Sequence, residues 1–296
     1  MDSSRSTRRL SYLRMAIREN TQNRLIPYHR AIYNYFKNWG LNYETYTLKT
    51  VKQFITSDTV FIVGTGPSLN RLNKHHFKII AQHDSFAINY AFLKKEIRPT
   101  YLQLSLEKAW NLEHTVKALE QGKEQVRDSV FFSHTKALYR MVHPKLTPEF
   151  FSTNPKCCFY RLPEPLQLEK ARPFTKTDFD KSVFYRGTLT LVLELVLRLD
   201  YRNIVLLGID PDQLAYFFDD YTFMQEYCEK LYGTWKKTGI TTHESLVPKG
   251  NKYHTIDIYL NALNKYLLKQ KQARLYLGLK GSLPLAELPI FFDKEQ

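Results

Sequence analysis

The run Val60-Phe61-Ile62-Val63-Gly64-Thr65-Gly66-Pro67-Ser68-Leu69 places a glycine-rich turn directly after an apolar, β-branched and aromatic segment. Glycines, lacking a Cβ, let a backbone come close to a phosphate, and the unpaired N–H groups of a following helix start add donors. A G-x-G turn by itself also serves as an ordinary tight turn. The preceding strand and the Pro67-Ser68 that follows give the phosphate-binding reading its weight. The next expected strand ends in Ile88-Asn89. A dinucleotide-binding or S-adenosylmethionine enzyme favours an acidic residue at that point, to hold ribose hydroxyls. Asn89 offers a neutral amide, which suits a base or a sugar hydroxyl, or simply caps the strand.

Two further groups carry chemistry. Asp210-Pro211-Asp212 is a D-x-D after an apolar run, and paired carboxylates suit a hard divalent cation. Asp178-Phe179-Asp180 repeats the pattern in a polar stretch and reads as a solvated loop. His254 follows the basic Lys249-Gly250-Asn251-Lys252 and stands just before a long helical pattern. Histidine is the usual general base near neutral pH, although a lone histidine is more often structural.

The elements that must position these residues alternate. Residues 59–63, 85–89, 100–104, 129–132 and 157–161 read as strands, with helical patterns between several of them. Arg186-Gly187-Thr188 opens an apolar helix to Leu199, which feeds Ile204-Val205-Leu206-Leu207-Gly208-Ile209-Asp210, a buried strand. Residues 255–269 form a helix and residues 273–277 a last strand, followed by Gly281-Ser282-Leu283. This alternation predicts an α/β fold: a single Rossmann-like domain with a mostly parallel sheet covered on both faces. Residues 211–253 are polar and aromatic with little strand character, and a stretch of that length reads as a lid. Residues 6–55 carry apolar residues at helical spacing, broken at Pro27. The expected organisation is a helical extension over residues 1–57 and a nucleotide-binding domain over residues 58–296.

Composition narrows the function classes. The chain has 296 residues, 20 Tyr, 19 Phe and a formal net charge of +14. Such a surplus suits nucleic acid, an anionic membrane or an anionic small substrate. No zinc-finger spacing or RRM-type aromatic signature is present, so nucleic acid is not expected. Arg5, Arg8, Arg9, Arg14, Arg18, Arg24 and Arg30 face only Asp2 and Glu19. That stretch is a solvated helix face or a peripheral contact with anionic membrane. Cys157, Cys158 and Cys228 make neither a disulfide framework nor a zinc site. A cytoplasmic protein is expected, possessing neither a secretory signal nor an apolar run of the ~18 residues a spanning helix needs.

Together these pieces resemble glycosyltransferase family 42, the Campylobacter-type bacterial sialyltransferases, and the related nonulosonic-acid transfer domains of motility accessory factors. The resemblance runs from about Val60 to Leu288. Ile62-Val63-Gly64-Thr65-Gly66-Pro67-Ser68-Leu69 is similar to the family's strand and G-N-G-P-S-L turn, with Thr65 in place of the Asn. Asn89 falls on the family's strand-end Asn. Thr188 takes the place of a donor-binding Ser, and Gly208-Ile209-Asp210 resembles the family's G-I-D. Gly281-Ser282-Leu283 resembles its N-S-L turn. Tyr216-Phe217-Phe218-Asp219 resembles the lid's Y-x-F-D.

The resemblance implies a metal-independent, inverting transfer from a CMP-activated donor. His254 would take the acceptor proton and Tyr216 would hold the departing phosphate. The family's second lid tyrosine aligns with Asp212 here, and Tyr221, Tyr227 or Tyr253 could supply that hydroxyl. His254 precedes Ile256-Asp257-Ile258 by two residues where the family spacing is four. The implied donor-binding set is Gly64, Thr65, Gly66, Pro67, Ser68, Asn89, Ser105, Gly187, Thr188, Gly208, Asp210, Asp212, Tyr253, Gly281 and Ser282.

The expected partners are the CMP-sugar and a saccharide or lipid-linked surface glycan of the lipopolysaccharide or capsule kind. A homo-oligomer is compatible with this, and no cofactor is expected. Three other readings stay open at this point. One is a metal-dependent nucleotide-sugar transferase using Asp210 and Asp212. The others are a pterin pyrophosphokinase-like enzyme, which shares the G-x-G-P-S opening, and a non-catalytic nucleotide or carbohydrate binder.

Overall fold

A computed structural model of the chain describes residues 44–104, 112–134, 156–160, 163–166, 173–238, 246, 255–280, 283 and 286–294. Eight strands form one sheet: β1 (Glu44–Tyr46), β2 (Thr59–Val63), β3 (Asp84–Ile88), β4 (Tyr101–Gln103), β5 (Val130–His134), β6 (Lys156–Tyr160), β7 (Asn203–Leu207) and β8 (Arg274–Leu277). Their order is β1-β6-β5-β4-β3-β2-β7-β8, and every pair is parallel.

The strands read as continuous apolar runs because both faces are covered. Phe61 and Val63 of β2 enter one core, and Val60 and Ile62 enter the other. β7 splits the same way, with Val205 and Leu207 on the first face and Ile204 and Leu206 on the second. Each such fully buried side chain stabilises by roughly 1.5–3 kcal/mol. The first face carries α1 (Lys74–Ile80), α2 (Leu112–Gln121), α3 (Lys123–Val126) and α6 (Gln225–Thr238). The second carries α4 (Lys176–Lys181), α5 (Gly187–Arg198) and α7 (Ile256–Lys269).

The strand order contains a reversal. From β2 the chain lays β3, β4, β5 and β6 outward in one direction; α5 then returns it to place β7 on the other side of β2. The loops leaving β2 and β7 therefore emerge side by side at this reversal, and in open α/β sheets ligands bind in the crevice at that point. α5 ends beside the start of β7, where Arg202 N–H donates to the Asp58 carbonyl at 2.9 Å. Twelve residues of helix span about 18 Å, so its first turn reaches the carboxyl edge of the sheet.

The structure departs from the sequence reading in two places, at residues 44–55 and at Asp178. Helical spacing was extended over residues 44–55, but Glu44–Tyr46 is an edge strand paired with β6, and Val51 is buried in the core. Thr45, Tyr46 and Thr47 favour extended backbone. Reciprocal bonds between Thr47 and Thr50, 2.9 and 3.2 Å from N–H to Oγ1, then turn the chain. Residues 1–43 of the expected extension lie outside the described residues. The stretch expected to be a lid contains a 14-residue helix, α6, whose Tyr227, Cys228 and Leu231 are buried. Finally, Asp178 is not in a solvated loop. It caps α4 reciprocally with Thr175 and is buried.

Candidate functional site

The glycine loop leaves β2 and is at once tied to the loop leaving β7. Gly64 N–H donates to the Leu207 carbonyl and Gly66 N–H to the Gly208 carbonyl, both at 2.8 Å. A Cβ on Gly64 would lie 2.4 Å from the Gly208 carbonyl oxygen, and one on Gly66 would lie 2.2 Å from Asp210 Oδ2. Both glycines are thus required by the approach of the β7 loop, before any ligand is considered. Gly208 adopts φ +60°, and its own Cβ position is filled by Leu69. After Gly66 the chain makes a 3₁₀ turn, Pro67–Arg71, with Pro67 at its first position; the helix α1 starts only at Lys74.

The Ser68 N–H donates to Asp210 Oδ2 at 2.8 Å. Three of the loop's donors, on Gly64, Gly66 and Ser68, are therefore engaged inside the protein, and Pro67 has none. Among the described residues Thr65 makes no hydrogen bond through its N–H or its hydroxyl, and it is half-buried. Its carbonyl accepts the Phe217 N–H at 3.0 Å. Within Gly64–Ser68, Thr65 is thus the residue whose N–H and hydroxyl are both unengaged among the described residues.

Asp210 is 7% exposed, and its Oδ1 is buried with no hydrogen-bond partner. Asp212, two residues on, is exposed. The D-x-D carboxylates thus lie in different surroundings, one turned onto the glycine loop and one in solvent. No group of three or more His, Cys, Asp or Glu side chains that could hold a metal occurs among the described residues.

Asn89 follows β3 at the same edge, half-buried, with φ +52°. Asparagine tolerates this left-handed conformation better than other residues with a Cβ. Gly187, at φ +75°, opens α5 with open space where a Cβ would stand. Thr188 comes next, half-buried. The start of this helix is stapled by Thr190, which the sequence hides within an apolar run. Its Oγ1 accepts N–H groups from Tyr185 at 3.2 Å and Arg186 at 2.9 Å. Glu194 holds the preceding turn by accepting Val183 N–H, and Arg198 Nε donates to it at 2.9 Å.

The Tyr216 segment is joined to the glycine loop through Phe217. Tyr216 stacks on Phe218 at 5.0 Å and on Tyr232 at 6.3 Å. Burial, with Cys228, Asp219 and Tyr90 nearby, raises the pKa of its hydroxyl, so it remains protonated and able to donate. Asn70 Nδ2 donates to the Phe217 carbonyl at 3.2 Å, and Lys94 Nζ donates to Asn70 Oδ1 at 3.2 Å. Of the candidates for a second tyrosine, Tyr227 is buried against Tyr90 and His114, 5.3 and 5.6 Å between ring centroids, inside the core. Tyr221 sits edge-on to Phe217 at 6.0 Å.

His254, Tyr253, Ser105, Gly281 and Ser282 lie outside the described residues. Next to them, Leu283 is buried at φ +50°, a conformation that a bulky side chain rarely adopts. Asp257, in the first turn of α7, is 6% exposed, and its Oδ1 also lacks a partner. Sequence reading missed Asp257 as well as Thr190 and Tyr232. An acid three residues after His254 was the available signal for the first.

No family model matches the chain, and no curated protein matches it. Among solved structures it is similar to the sialyltransferase CstII from Campylobacter jejuni in complex with a substrate analogue. That match has 16% identity and a TM-score of 0.43, over 78% of this chain and 84% of that one. It is also similar to the monofunctional α-2,3-sialyltransferase Cst-I of the same organism, at 16% identity and a TM-score of 0.41, over 80% and 82% of the two chains. An apo α-2,3-sialyltransferase from that organism matches at 16% identity and a TM-score of 0.44, over 80% and 83%.

Proposed function

We propose that this chain is an inverting glycosyltransferase that moves sialic acid or a related acidic sugar from a CMP-activated donor to a saccharide acceptor of a surface glycan. The observation that carries the reading is the state of the glycine loop. Its Gly64, Gly66 and Ser68 donors are engaged internally, which leaves Thr65 alone to serve a ligand. One backbone donor and one hydroxyl suit a leaving group with a single phosphate. A diphosphate would bring more charge beside the Asp210 carboxylate with few donors to neutralise it. Asn89, Thr188 and the Tyr216 segment belong to the same carboxyl edge and supply neutral polar groups for base, sugar and phosphate.

In this mechanism His254 takes the proton of the acceptor hydroxyl. The freed oxygen attacks the anomeric carbon as the bond from that carbon to the phosphate oxygen breaks, with inversion. Thr65 and Tyr216 donate hydrogen bonds to the departing phosphate; the raised pKa of Tyr216 keeps its proton in place for that task. Each of these steps is assigned to a protein side chain. The net charge of +14 favours both an anionic donor and a position at the inner face of an anionic membrane.

Purified protein is expected to release CMP from one or more members of a panel of CMP-activated nonulosonic acids and CMP-Kdo. Absence of both release and binding across the panel overturns the donor assignment. His254→Ala is expected to abolish transfer while keeping donor binding, and unchanged turnover would reject His254 as the base.

A further inference from the structure

The Asp219 carboxylate collects three donors from its surroundings. Tyr232 O–H lies 2.6 Å from both of its oxygens, Tyr216 N–H 3.1 Å from Oδ2, and Cys228 Sγ 3.4 Å from Oδ1. Cys228 and Tyr232 are four residues apart on α6, so they share one helix face. That helix is anchored in the core through Tyr227, Cys228 and Leu231. On the other side of Asp219 the chain has no regular structure from Pro211 to Tyr221. Phe217 and Phe218 bury its middle in the core, and it is tied by Asp219 N–H to the Tyr216 carbonyl at 3.3 Å, by Phe217 N–H to the Thr65 carbonyl at 3.0 Å and by Asn70 Nδ2 to the Phe217 carbonyl at 3.2 Å. The Tyr232 ring lies 15° from parallel with that of Tyr216.

We infer that Tyr232 is a positioning residue: through Asp219 it holds the Tyr216 turn, and through Phe217 the glycine loop, as one unit with α6. A rigid helix supplies the hydroxyl, the carboxylate relays it to the Tyr216 N–H, and the next residue binds the loop that faces the ligand. Removing the Tyr232 hydroxyl leaves a half-buried carboxylate short of its two shortest contacts. The turn then loosens, although nothing in the crevice has been altered. The consequence for turnover rests on the transferase reading above, but the mechanical linkage does not.

Amide hydrogen exchange followed by mass spectrometry separates the two. Tyr232→Phe keeps the stacked ring and deletes only the hydroxyl, and Asp219→Asn keeps the side-chain size while weakening the same contact from the other partner. Both are expected to speed exchange over residues 64–69 and 216–221 by about tenfold, while exchange in α7 stays as in the wild type. On whichever CMP-sugar the wild type turns over, kcat is expected to fall about tenfold with the donor KM within about twofold, because orientation rather than ground-state contact is lost. Unchanged exchange over residues 64–69 in both variants overturns the inference. A wild type inactive on every donor overturns the transferase reading, while the exchange result still decides the linkage.

Discussion

The Asp210 carboxylate and the Ser68 N–H, 142 residues apart in the chain, meet at 2.8 Å and close the glycine loop onto the loop leaving β7. The contact crosses the point where the strand order reverses. It explains why Gly66 has no room for a Cβ, and it leaves Asp210 Oδ1 buried without a partner. A buried donor left unpaired costs about 1–3 kcal/mol. Asp210→Ala is therefore expected to lose about that much stability in a urea titration, together with CMP binding. Asp210→Asn, which keeps an acceptor for Ser68, is expected to be milder. Equal midpoints for wild type and Asp210→Ala would count against the contact.

Gly66→Ala tests the same junction from the loop side. The added methyl must displace Asp210 Oδ2 from 2.2 Å, and Gly64→Ala must displace backbone at 2.4 Å. Overpacking of this kind typically costs about 1–3 kcal/mol. Gly64→Ala should be the worse of the two, because the Gly208 backbone carbonyl, which accepts the Gly66 N–H, moves less readily than the end of a side chain. Thermal melts rank them directly, and the reverse ranking would show that the loop yields at its start.

Thr65 is expected to act through its hydroxyl. Thr65→Val has nearly the same shape and removes one donor, so the donor KM should rise by about tenfold with the melting temperature little changed. Thr65→Ser should stay close to the wild type. A valine variant with unaltered kinetics would place the phosphate elsewhere.

How much of this was legible follows from what kind of contact each feature needs. β2 and β7 announce themselves because a parallel strand buried on both faces must be apolar at every position. The same logic fails at β1, an edge strand of three residues with Glu44 and Thr45 exposed. α6 is concealed by its exposed charges and by Gly233, and only its buried Tyr227, Cys228 and Leu231 reveal the inward face. The glycine loop was visible as a motif, but the reason for its glycines was not, since the atoms they avoid belong to residues 208–210. Thr190 acts through hydrogen bonds to the turn just before it, which its place in an apolar run conceals, and Tyr232 acts through a carboxylate thirteen residues away that only the fold brings to it.

At the opposite edge of the sheet, Asp84 is expected to be a stability determinant with no part in turnover. It is buried and accepts Thr56 N–H at 3.0 Å, Thr56 O–H at 2.7 Å, Ser57 N–H at 3.3 Å and Tyr201 O–H at 2.8 Å. Those bonds join the segment before β2 to β3 and to the turn before β7. Asp84→Ala strands the buried Tyr201 hydroxyl and frees the Thr56 and Ser57 donors at once, and should cost about 3 kcal/mol in chemical denaturation. An effect on donor KM at temperatures where the variant is folded would contradict this assignment.

His76 gives the fold a pH dependence of definite sign. Its Nδ1 accepts the Asn73 N–H at 3.1 Å in a reciprocal cap on α1, which only the neutral ring can do, and its ring lies 4.4 Å from that of Phe292. Burial, and then the neighbouring His75, lower its pKa below the ordinary histidine value. A group with a lowered folded-state pKa holds its full stabilising effect above the unfolded value of about 6.5 and loses it as the pH falls through that value towards the folded one. His76→Gln preserves the acceptor at this third helical position and cannot titrate. Between about pH 7.5 and about pH 5 the wild type should therefore lose more of its denaturation midpoint than the glutamine variant. Parallel loss in the two proteins would assign the acid sensitivity to other groups.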